Sequence, residues 1–450
     1  MATNVHTQET VSHAGAPNGH GVSVGKPRFV SLEWLRFLLG LYIVIFHTLH
    51  HYKDSVPWAE YVSNIGFFST STFFILSGFL LAHVYLDPAP NHSFRLRESK
   101  LSFLIKRFAN LYPIHIGAII ITLAVILILQ TLTIFPEDAH TTSIRYVIID
   151  VNNNTPAEQL RMWMNNTQLA WATFTNLTLT HAWNPYYLTF NAPSWSISAL
   201  FFFYLLFPFI APALRSVKAP LLALITINIC YLIPVVLIVM FTQHGAPETG
   251  ILHRNPIVRL PEFMAGIVLC GVYHRWAVAG GKPTAKLVLS LIALVVVELA
   301  MAEYLMSFGF HGVWYYLLHD GLLMPAELAL LFLCAIVPYD PSPKWRKIAA
   351  YLGGASLPMF ALHVPLYLIF SRVEGVLSGE PGLCMAGQWR ACFDAAQQPS
   401  IYFYPLFLLL TVLFCVLFQQ QFVVRVRRFL IAHLTPASVS AANNKAAAKQ

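Results

Sequence analysis

Arg36 and His47 lie in the first apolar stretch of the chain and are its residues best suited to chemistry. In a helix, eleven steps of about 100° bring these two side chains to within roughly 20° of one face, about 16 Å apart along the axis. Ionisable side chains are expensive in lipid and normally face a cavity or a partner. A guanidinium can bind an anion, and an imidazole can exchange a proton near neutral pH. The alternative is that Arg36 snorkels to one interface while His47 caps the far end of the helix.

His47, His50 and His51 also have the spacing of metal ligands on a helix. The sequence nearby offers no carboxylate or cysteine set that would complete such a site, and short spacings of this kind arise easily by chance. We therefore expect no bound metal at these histidines.

Composition indicates the solvent in which these residues act. Of the 450 residues, 57% are hydrophobic and 11% are charged, whereas about 25% of an ordinary soluble domain is charged. The formal net charge of +8 comes from basic residues that lie mainly between apolar runs and form no stripe. This distribution is typical of membrane topology and argues against a nucleic-acid partner.

Apolar runs of about 20 residues are long enough to cross a bilayer as helices. These runs are continuous rather than alternating, and they are about twice as long as the strands of a membrane barrel. The sequence therefore predicts an all-α, polytopic membrane protein embedded in a lipid bilayer. About ten candidate spans lie at approximately residues 32–50, 62–86, 111–135, 196–214, 219–242, 257–278, 285–306, 315–337, 349–371 and 401–424.

The 28 Lys and Arg residues predict the orientation of these spans. If the N-terminus is cytoplasmic, most of them fall on the cytoplasmic side, as the positive-inside rule requires, and both termini are then cytoplasmic. Residues 1–28 form a polar leader with few large apolar side chains and are expected to be disordered. Residues 29–428 are predicted to form the membrane domain, and residues 429–450 a cytoplasmic tail.

Two long segments, residues 136–195 and 372–400, are predicted to lie outside the membrane on the far side. Long loops usually carry function or are disordered. Aromatic side chains in the first segment could stack on a sugar or rest on the membrane surface. They are Trp163, Trp171, Trp183 and Tyr186.

The six cysteines divide into two groups. Cys384 and Cys392 share the second outer segment, and we predict that they pair in an oxidising compartment. The remaining four lie in apolar runs and are interpreted as small packing residues. They are Cys230, Cys270, Cys334 and Cys415.

Arg36 and His47 match the Arg-x10-His signature of the acyltransferase-3 family of integral-membrane acyltransferases. The chain resembles that family at further segments between residue 31 and about residue 371, in family order and at plausible spacing. Each segment is weak alone, but together they are specific. The segments are Phe73 to Phe79, with Phe74, Ser77 and Gly78; Lys106 and Arg107 through Leu111-Tyr112-Pro113; Ser194-Trp195-Ser196-Ile197-Ser198, with Phe203-Tyr204; Glu262-Phe263, with Gly266; and Leu362-His363-Val364-Pro365.

The resemblance implies an enzyme of a bacterial inner membrane. It would move an acyl group, by default acetyl, from cytoplasmic acyl-CoA to a hydroxyl of a carbohydrate or lipid-linked glycan on the extracytoplasmic side. Acetyl-CoA is then a co-substrate, and no cofactor is permanently bound. His47 is the predicted general base, with Arg36 as its catalytic partner, and Lys106 and Arg107 are expected in a basic inner loop that meets the donor phosphates. The donor-binding set that the resemblance implies is Arg36, Lys106, Arg107, Tyr112, Phe74, Ser77 and Gly78.

Other candidates have a structural reading beside the functional one. Ser77 and Gly78 could simply allow close helix packing, and Trp195 and Tyr204 could be packing residues or interface anchors. His363 could satisfy backbone carbonyls that Pro365 leaves free. The ionisable residues of later apolar runs are functional candidates by default. They are Glu262, His363, Asp320 and Glu327.

Two positions depart from the family pattern. Asn110 stands where Arg is common, and it cannot supply a charged fork to phosphate. Leu200 stands where Glu is common, which could alter acceptor handling or remove activity. These departures leave open a catalytically silent paralogue that binds acyl-CoA or a glycan. A transporter or flippase is a further alternative, because it too needs ionisable residues in the membrane, although the sequence has no related halves.

Overall fold

The structure, a computed structural model, describes residues 29–91, 93–131, 143–148, 163–309 and 312–435. Its architecture is helical, because in lipid a helix satisfies its own backbone groups. Within the described residues, ten helical stretches are long and apolar enough to span a membrane, which agrees with the predicted number of spans. The predicted leader, residues 1–28, lies outside the described residues, as does most of the predicted tail.

The α-helices of the described residues are listed here in chain order. They are α1 (Val30–Leu49), α2 (Trp58–Ser63), α3 (Phe67–Tyr85), α4 (Lys100–Thr131), α5 (Asn166–Leu177), α6 (Trp195–Arg215), α7 (Pro220–Phe241), α8 (Glu248–Arg254), α9 (Pro256–Val278), α10 (Ala285–Met306), α11 (Val313–Leu317), α12 (Met324–Ile336), α13 (Pro343–Gly354), α14 (Ser356–Ser378), α15 (Pro381–Met385), α16 (Trp389–Asp394), α17 (Tyr404–Leu417) and α18 (Val424–Leu434). Two π-helical turns, Leu318–Leu322 and Phe418–Val423, join α11 to α12 and α17 to α18.

Strands are few and short. The strands β1 (Leu86–Ala89) and β2 (Ser93–Leu96) form an antiparallel hairpin after α3, with Leu86 opposite Leu96. The strands β3 (Val147–Ile148) and β4 (Leu188–Thr189) pair antiparallel beside α5. The predicted all-α class therefore describes the membrane-spanning part.

Three helix boundaries differ from the predicted spans. The third spanning helix begins at Lys100 instead of about residue 111, so Lys106 and Arg107 lie on its first turns and not in the predicted basic loop. The ninth span is Ser356–Ser378, because Ala355 separates it from the amphipathic α13. The tenth helical stretch continues to Leu434. Charged residues in the end turns of these helices lowered the hydropathy on which the predicted boundaries rested.

Contacts between helix ends give the relative directions of the first, second, fifth and sixth spans. Phe29, at the start of α1, packs on His83 at the end of α3 and on Tyr273 near the end of α9. Arg275, also near the end of α9, donates to the Lys218 carbonyl just before α7. We call this the basic end of the bundle; at the far end, His51 stacks on Tyr367 of α14. The positive-inside rule predicts that the basic end is cytoplasmic.

The helices α3 and α9 pack closely in the bundle core. A Cβ atom added to Gly78 would lie 2.1 Å from the Phe263 carbonyl oxygen, and one added to Gly266 would lie 1.9 Å from the Ile75 carbonyl oxygen. Both glycines therefore let two backbones touch, as small residues commonly do between membrane helices. This contact supports the packing interpretation of Gly78 and fixes α3 and α9 relative to each other.

The far-end segments agree with the sequence where the structure describes them. Cys384 and Cys392 form a disulfide that links α15 to α16, as predicted. The aromatic side chains of the first long segment are exposed, which suits both a sugar-stacking surface and a membrane surface. They are Trp163, Trp171, Trp183 and Tyr186.

Candidate active site

The two residues singled out on the first helix both point into the protein. Arg36 and His47 share the face of α1 that carries the buried residues Gly40 and Ile43, because positions about 3.6 residues apart recur on one face. Leu38, which is 54% exposed, lies roughly half a turn away from His47. His47 is itself exposed, on the opposite side of the helix from Leu38.

His47 stacks on His363, which the sequence had placed in a separate segment. The two ring centroids are 4.9 Å apart, and the planes differ by 17°. His363 is fully buried in α14, and its Nδ1 lies 2.9 Å from the Met359 carbonyl oxygen. That bond requires a hydrogen on Nδ1, and Nε2 then carries a lone pair. Nε2 has no hydrogen-bond partner among the described residues.

His363 does bond a backbone carbonyl, that of Met359, but the carbonyl that Pro365 frees has another partner. Pro365 has no N–H and therefore frees the carbonyl four residues earlier, which belongs to Ala361. The side-chain amide of Asn191, just before α6, donates to that oxygen at 2.8 Å. Asn191 therefore satisfies the proline kink, and His363 remains available for chemistry.

Two further aromatic side chains complete the surroundings of His47. His253, on α8, lies within electrostatic range of His47. Its ring centroid is 4.8 Å from that of Trp195 and 5.4 Å from that of His319. Trp195 thus lies near the predicted catalytic residue, while its other side packs against Phe74. Sequence reasoning missed His253, because an isolated histidine near a span carries no motif.

A closed ionic cluster lies beside this group of histidines. Arg259 on α9 pairs with Glu262 at 2.9 Å and with Asp320 at 2.7 Å, and all three side chains are at most 1% exposed. The Tyr231 hydroxyl donates to Glu262 at 3.0 Å, and Arg259 donates to Ser71 at 2.8 Å. A buried charge is tolerated only when it is paired and hydrogen-bonded in this way. Glu262 therefore lies in a polar network and not at an open surface.

A break in the eighth span positions Asp320. The π-helical turn contains Asp320 at φ −124° and Gly321 at φ 115°, a left-handed conformation that favours glycine. The adjacent His319 lies with Nδ1 3.2 Å from the Asp320 carboxylate. Arg259 was missed by sequence reasoning, although its i, i+3 spacing to Glu262 within one span was a usable signal.

At the basic end, three predicted residues come together around Tyr204. The Tyr204 hydroxyl is within hydrogen-bonding reach of Ser77 and within electrostatic range of Arg36 and Arg107. Arg36 is half-buried, with Glu33 3.3 Å away as its counter-ion. Tyr204 is therefore more than an interface anchor, because it joins α3 and α6 to the two arginines.

Arg107 leaves part of its guanidinium unused. Its Nη2 donates to the Tyr85 hydroxyl at 2.5 Å, while its buried Nε has no hydrogen-bond partner among the described residues. Arg427 of α18 lies within electrostatic range of Arg107 and Tyr85. Neighbouring guanidinium groups repel each other, and an anion between them would relieve that repulsion. Arg427 was missed because it lies beyond the segments that resemble the family.

The other predicted donor residues are dispersed. Lys106 forms an ion pair with Glu98 near the basic surface. Tyr112 stacks on Phe108, with ring centroids 4.6 Å apart. Phe74 is fully buried and lies below Arg259, whose guanidinium carbon is 5.9 Å from the ring centroid.

A second histidine pair lies away from these groups. The ring centroids of His115 and His181 are 5.0 Å apart, and both residues are buried. His115 contacts the Asn176 carbonyl oxygen at 2.9 Å, and His181 lies 3.4 Å from the Ser194 hydroxyl. His181 precedes the fourth span, and burial, together with the nearby His115, lowers its pKa to about 3.

The remaining candidates are placed as follows. His50 and His51 are exposed, and their ring centroids are 4.0 Å apart. His51 also stacks on Tyr367, whereas His47 stacks on His363. Glu327 is buried within electrostatic range of Glu262.

The two positions that depart from the family differ in burial. Asn110 is half-buried and lies within α4, two residues before Tyr112. Leu200 is fully buried in α6, within the apolar core. Leu200 therefore fills space in the core, where a carboxylate would require a partner.

Comparison with known proteins identifies a matching family and a distant relative. A family described as an acyltransferase domain matches residues 29–419. The chain is also similar to "Protein 2 in picA locus" of Rhizobium radiobacter, with 28% identity over 179 residues that cover 38% of this chain and 75% of that protein. No solved structure matches.

Proposed function

The chain belongs to the acyltransferase-3 family, whose domain covers residues 29–419, and we propose that it transfers an acetyl group from acetyl-CoA to a hydroxyl of a carbohydrate acceptor. The acceptor would be an exported polysaccharide or its lipid-linked precursor, met at the far end of the bundle. The protein is a multi-pass membrane acyltransferase, and we place it in a bacterial inner membrane with its basic end in the cytoplasm.

The donor would bind at the basic end. Coenzyme A carries several phosphate charges, and these would bind the guanidinium groups of Arg36, Arg107 and Arg427 through charge-assisted hydrogen bonds. The unpartnered Nε of Arg107 supports this role. Lys106 is already paired with Glu98 and would contribute less.

The reaction would take place beside His47. Its imidazole would accept the proton of the acceptor hydroxyl, whose oxygen then attacks the carbonyl carbon of the thioester. The carbon–sulfur bond breaks, and the departing thiolate takes the proton back from His47. His363, which is fully buried, would hold His47 in place by stacking.

This proposal rests on the contacts that Arg36 and His47 make at the two ends of one face of α1. Arg36 meets the arginine and tyrosine group of the basic end, and His47 meets His363 at the far end. The two lie roughly 16 Å apart along α1. An extended donor arm that follows this face would carry the thioester from the phosphate site to the imidazole.

Transfer can be tested with the purified chain in lipid nanodiscs, radiolabelled acetyl-CoA and a glycolipid fraction. We expect label on the glycan with the native chain and with His51→Ala, and loss of that label with His47→Ala. His51 is a matched control, because it is an exposed histidine on the same helical stretch. Donor binding without transfer would instead support a catalytically silent paralogue, which Asn110 and Leu200 leave open.

A transporter remains the second candidate because of the eighth span. Broken helices with buried charges near the middle of a membrane are typical of transporters, and the turn at Asp320 with its bond to Arg259 has that form. Uptake of a glycan precursor into proteoliposomes without any acetyl label would favour this candidate and reject the enzyme.

A further inference from the structure

A third histidine pair lies at the basic end, outside the groups used above. Nδ1 of His83, on α3, is 3.1 Å from Nε2 of His274, on α9. The thiol of Cys270 completes the group, and the three potential ligand atoms all lie within 4.8 Å of one another. From the sequence alone, Cys270 is interpreted only as a packing residue.

The spacing of the three residues suits a metal ion. Cys270 and His274 are four positions apart, so they lie one above the other on the same face of α9. In a tetrahedral zinc site with bonds of about 2.0–2.1 Å to nitrogen, two nitrogen ligands are roughly 3.4 Å apart. The observed separation of 3.1 Å between the two imidazole nitrogens is close to that value.

The framework around the three residues is rigid. The glycine contacts at Gly78 and Gly266 hold the backbones of α3 and α9 together. His83 and Cys270 therefore reach the site from two helices that cannot move apart freely. The Arg215 guanidinium is within hydrogen-bonding reach of Cys270, and such contacts to a ligand help to fix its orientation.

Burial leaves one side of the group open. Cys270 is 0% exposed and His83 is 3% exposed, whereas His274 is only partly buried. Three protein ligands and an accessible fourth position, occupied by water, are a common arrangement for zinc. A thiolate together with two imidazoles also favours zinc over magnesium or calcium, which prefer oxygen ligands.

We propose that His83, Cys270 and His274 bind one Zn²⁺ ion, which clamps α3 to α9 at the basic end. The site is separate from the proposed acyl chemistry, because His83 lies at the basic end of the bundle beside Phe29, whereas His47 lies near the opposite end of α1. His83 lies two residues before Tyr85, the partner of Arg107. The ion therefore stabilises the helix end that supports the donor site.

Metal content tests the proposal directly. The full chain should be purified without a histidine tag and analysed by mass spectrometry for zinc. We expect about one ion per native chain, and no more than a background amount in Cys270→Ser and His274→Ala. Cys230→Ser and His433→Ala are matched controls, since they remove an exposed cysteine and an exposed histidine, and both should retain the ion.

Cobalt substitution provides a second readout that does not depend on the zinc acquired during expression. Co²⁺ added to the metal-free native chain should give a near-ultraviolet thiolate-to-cobalt band, which Cys270→Ser should lack. A chelator should lower the melting temperature of the native chain and leave that of Cys270→Ser unchanged, because ligand binding stabilises only the form that binds.

The rival arrangement is a hydrogen bond between two neutral imidazoles with no ion. A native chain with no more zinc than the two site variants, no cobalt band and no response to chelator would establish that arrangement and overturn the proposal. A chain that takes copper but neither zinc nor cobalt would overturn the assignment to zinc.

Discussion

The pair of His47 and His363 and the pair of His115 and His181 have nearly the same geometry in different surroundings. Their ring centroids are 4.9 Å and 5.0 Å apart, with interplanar angles of 17° and 10°. His115 and His181 are both buried, and His115 contacts a backbone carbonyl. In the first pair His363 is likewise buried, but His47 is exposed. Ring nitrogens without a hydrogen-bond partner among the described residues occur in both pairs.

The difference between the pairs lies in access and not in the type of residue. Stacked imidazoles form wherever helices bring two histidines together, so stacking is not in itself a catalytic signal. A closed pair is sealed from ligands by burial, whereas in an open pair a ligand can reach at least one imidazole. The comparison therefore favours His47, and not His115 or His181, as the histidine that meets a ligand.

The largest expected effect comes from the open pair. His47→Ala should lower acetyl transfer by roughly 100-fold to 10,000-fold, the usual contribution of a general base. Melting temperature should change little, because His47 is exposed. The measurement is the initial rate of label transfer from acetyl-CoA in nanodiscs.

Two controls decide what this result means. His51→Ala should retain the native rate, because His51 stacks on Tyr367 at the edge of the bundle. If His47→Ala retained more than half of the native rate, the general base would have to be another group, and His363 would be the first to examine.

The closed ionic cluster provides the next largest effect, and it acts on stability. Arg259→Met should destabilise the fold by about 3–5 kcal/mol, because it leaves buried carboxylates without their counter-ion. Glu262 and Asp320 are the two carboxylates affected. The measurement is chemical unfolding in detergent, compared with Arg390→Met at an exposed position, which should change stability by less than about 0.5 kcal/mol. If Arg259→Met kept the native free energy of unfolding, the cluster would have to be reached by water and would belong with the open site around His47.

These two regions also show how far the sequence can predict the structure. The number of spans followed from apolar runs of sufficient length, and the disulfide followed from two cysteines in one segment. The start of α4 at Lys100 did not follow, because its first turns are amphipathic and carry charge. Hydropathy identifies the part of a helix that lies in lipid and not the turns that extend beyond it.

The candidate site was predictable only where a local pattern existed. Arg36 and His47 share one helix and one face, so their spacing could be read from the sequence. The partners of these residues come from distant segments, and no local period connects His253 or Arg427 to them. Asn191 could not be foreseen as the partner of the carbonyl freed by Pro365, because that contact depends on how α6 packs against α14.

Arg107 and Lys106 are adjacent at the basic end and test the same distinction, because Arg107 has a nitrogen left for a ligand and Lys106 is already paired. Arg107→Gln should raise the KM for acetyl-CoA by about tenfold to a hundredfold, which corresponds to the loss of roughly 1.5–3 kcal/mol from hydrogen bonds to a charged group. Lys106→Gln should change that KM by less than about twofold, because Lys106 is a surface ion-pair partner of Glu98. The measurement is the dependence of transfer rate on donor concentration, with kcat determined separately. Equal increases in KM in the two variants would show that general surface charge attracts the donor and that Arg107 makes no specific contact with it.

The smallest effect concerns the closed histidine pair and is a dependence on pH. Burial, with His115 nearby, holds the pKa of His181 at about 3, below its value of about 6.5 in an unfolded chain. His181 is therefore neutral in the folded chain, and its contribution to stability is complete above pH 6.5 and is lost as the pH falls toward 3. Between pH 7.5 and pH 6 this loss amounts to about 0.8 kcal/mol. His181→Asn should flatten the decline in stability over that range, whereas His433→Asn at an exposed position should not. An unchanged slope in His181→Asn would mean that His181 gains a proton in the folded chain, which requires water to reach the pair and would remove the distinction between the two histidine pairs.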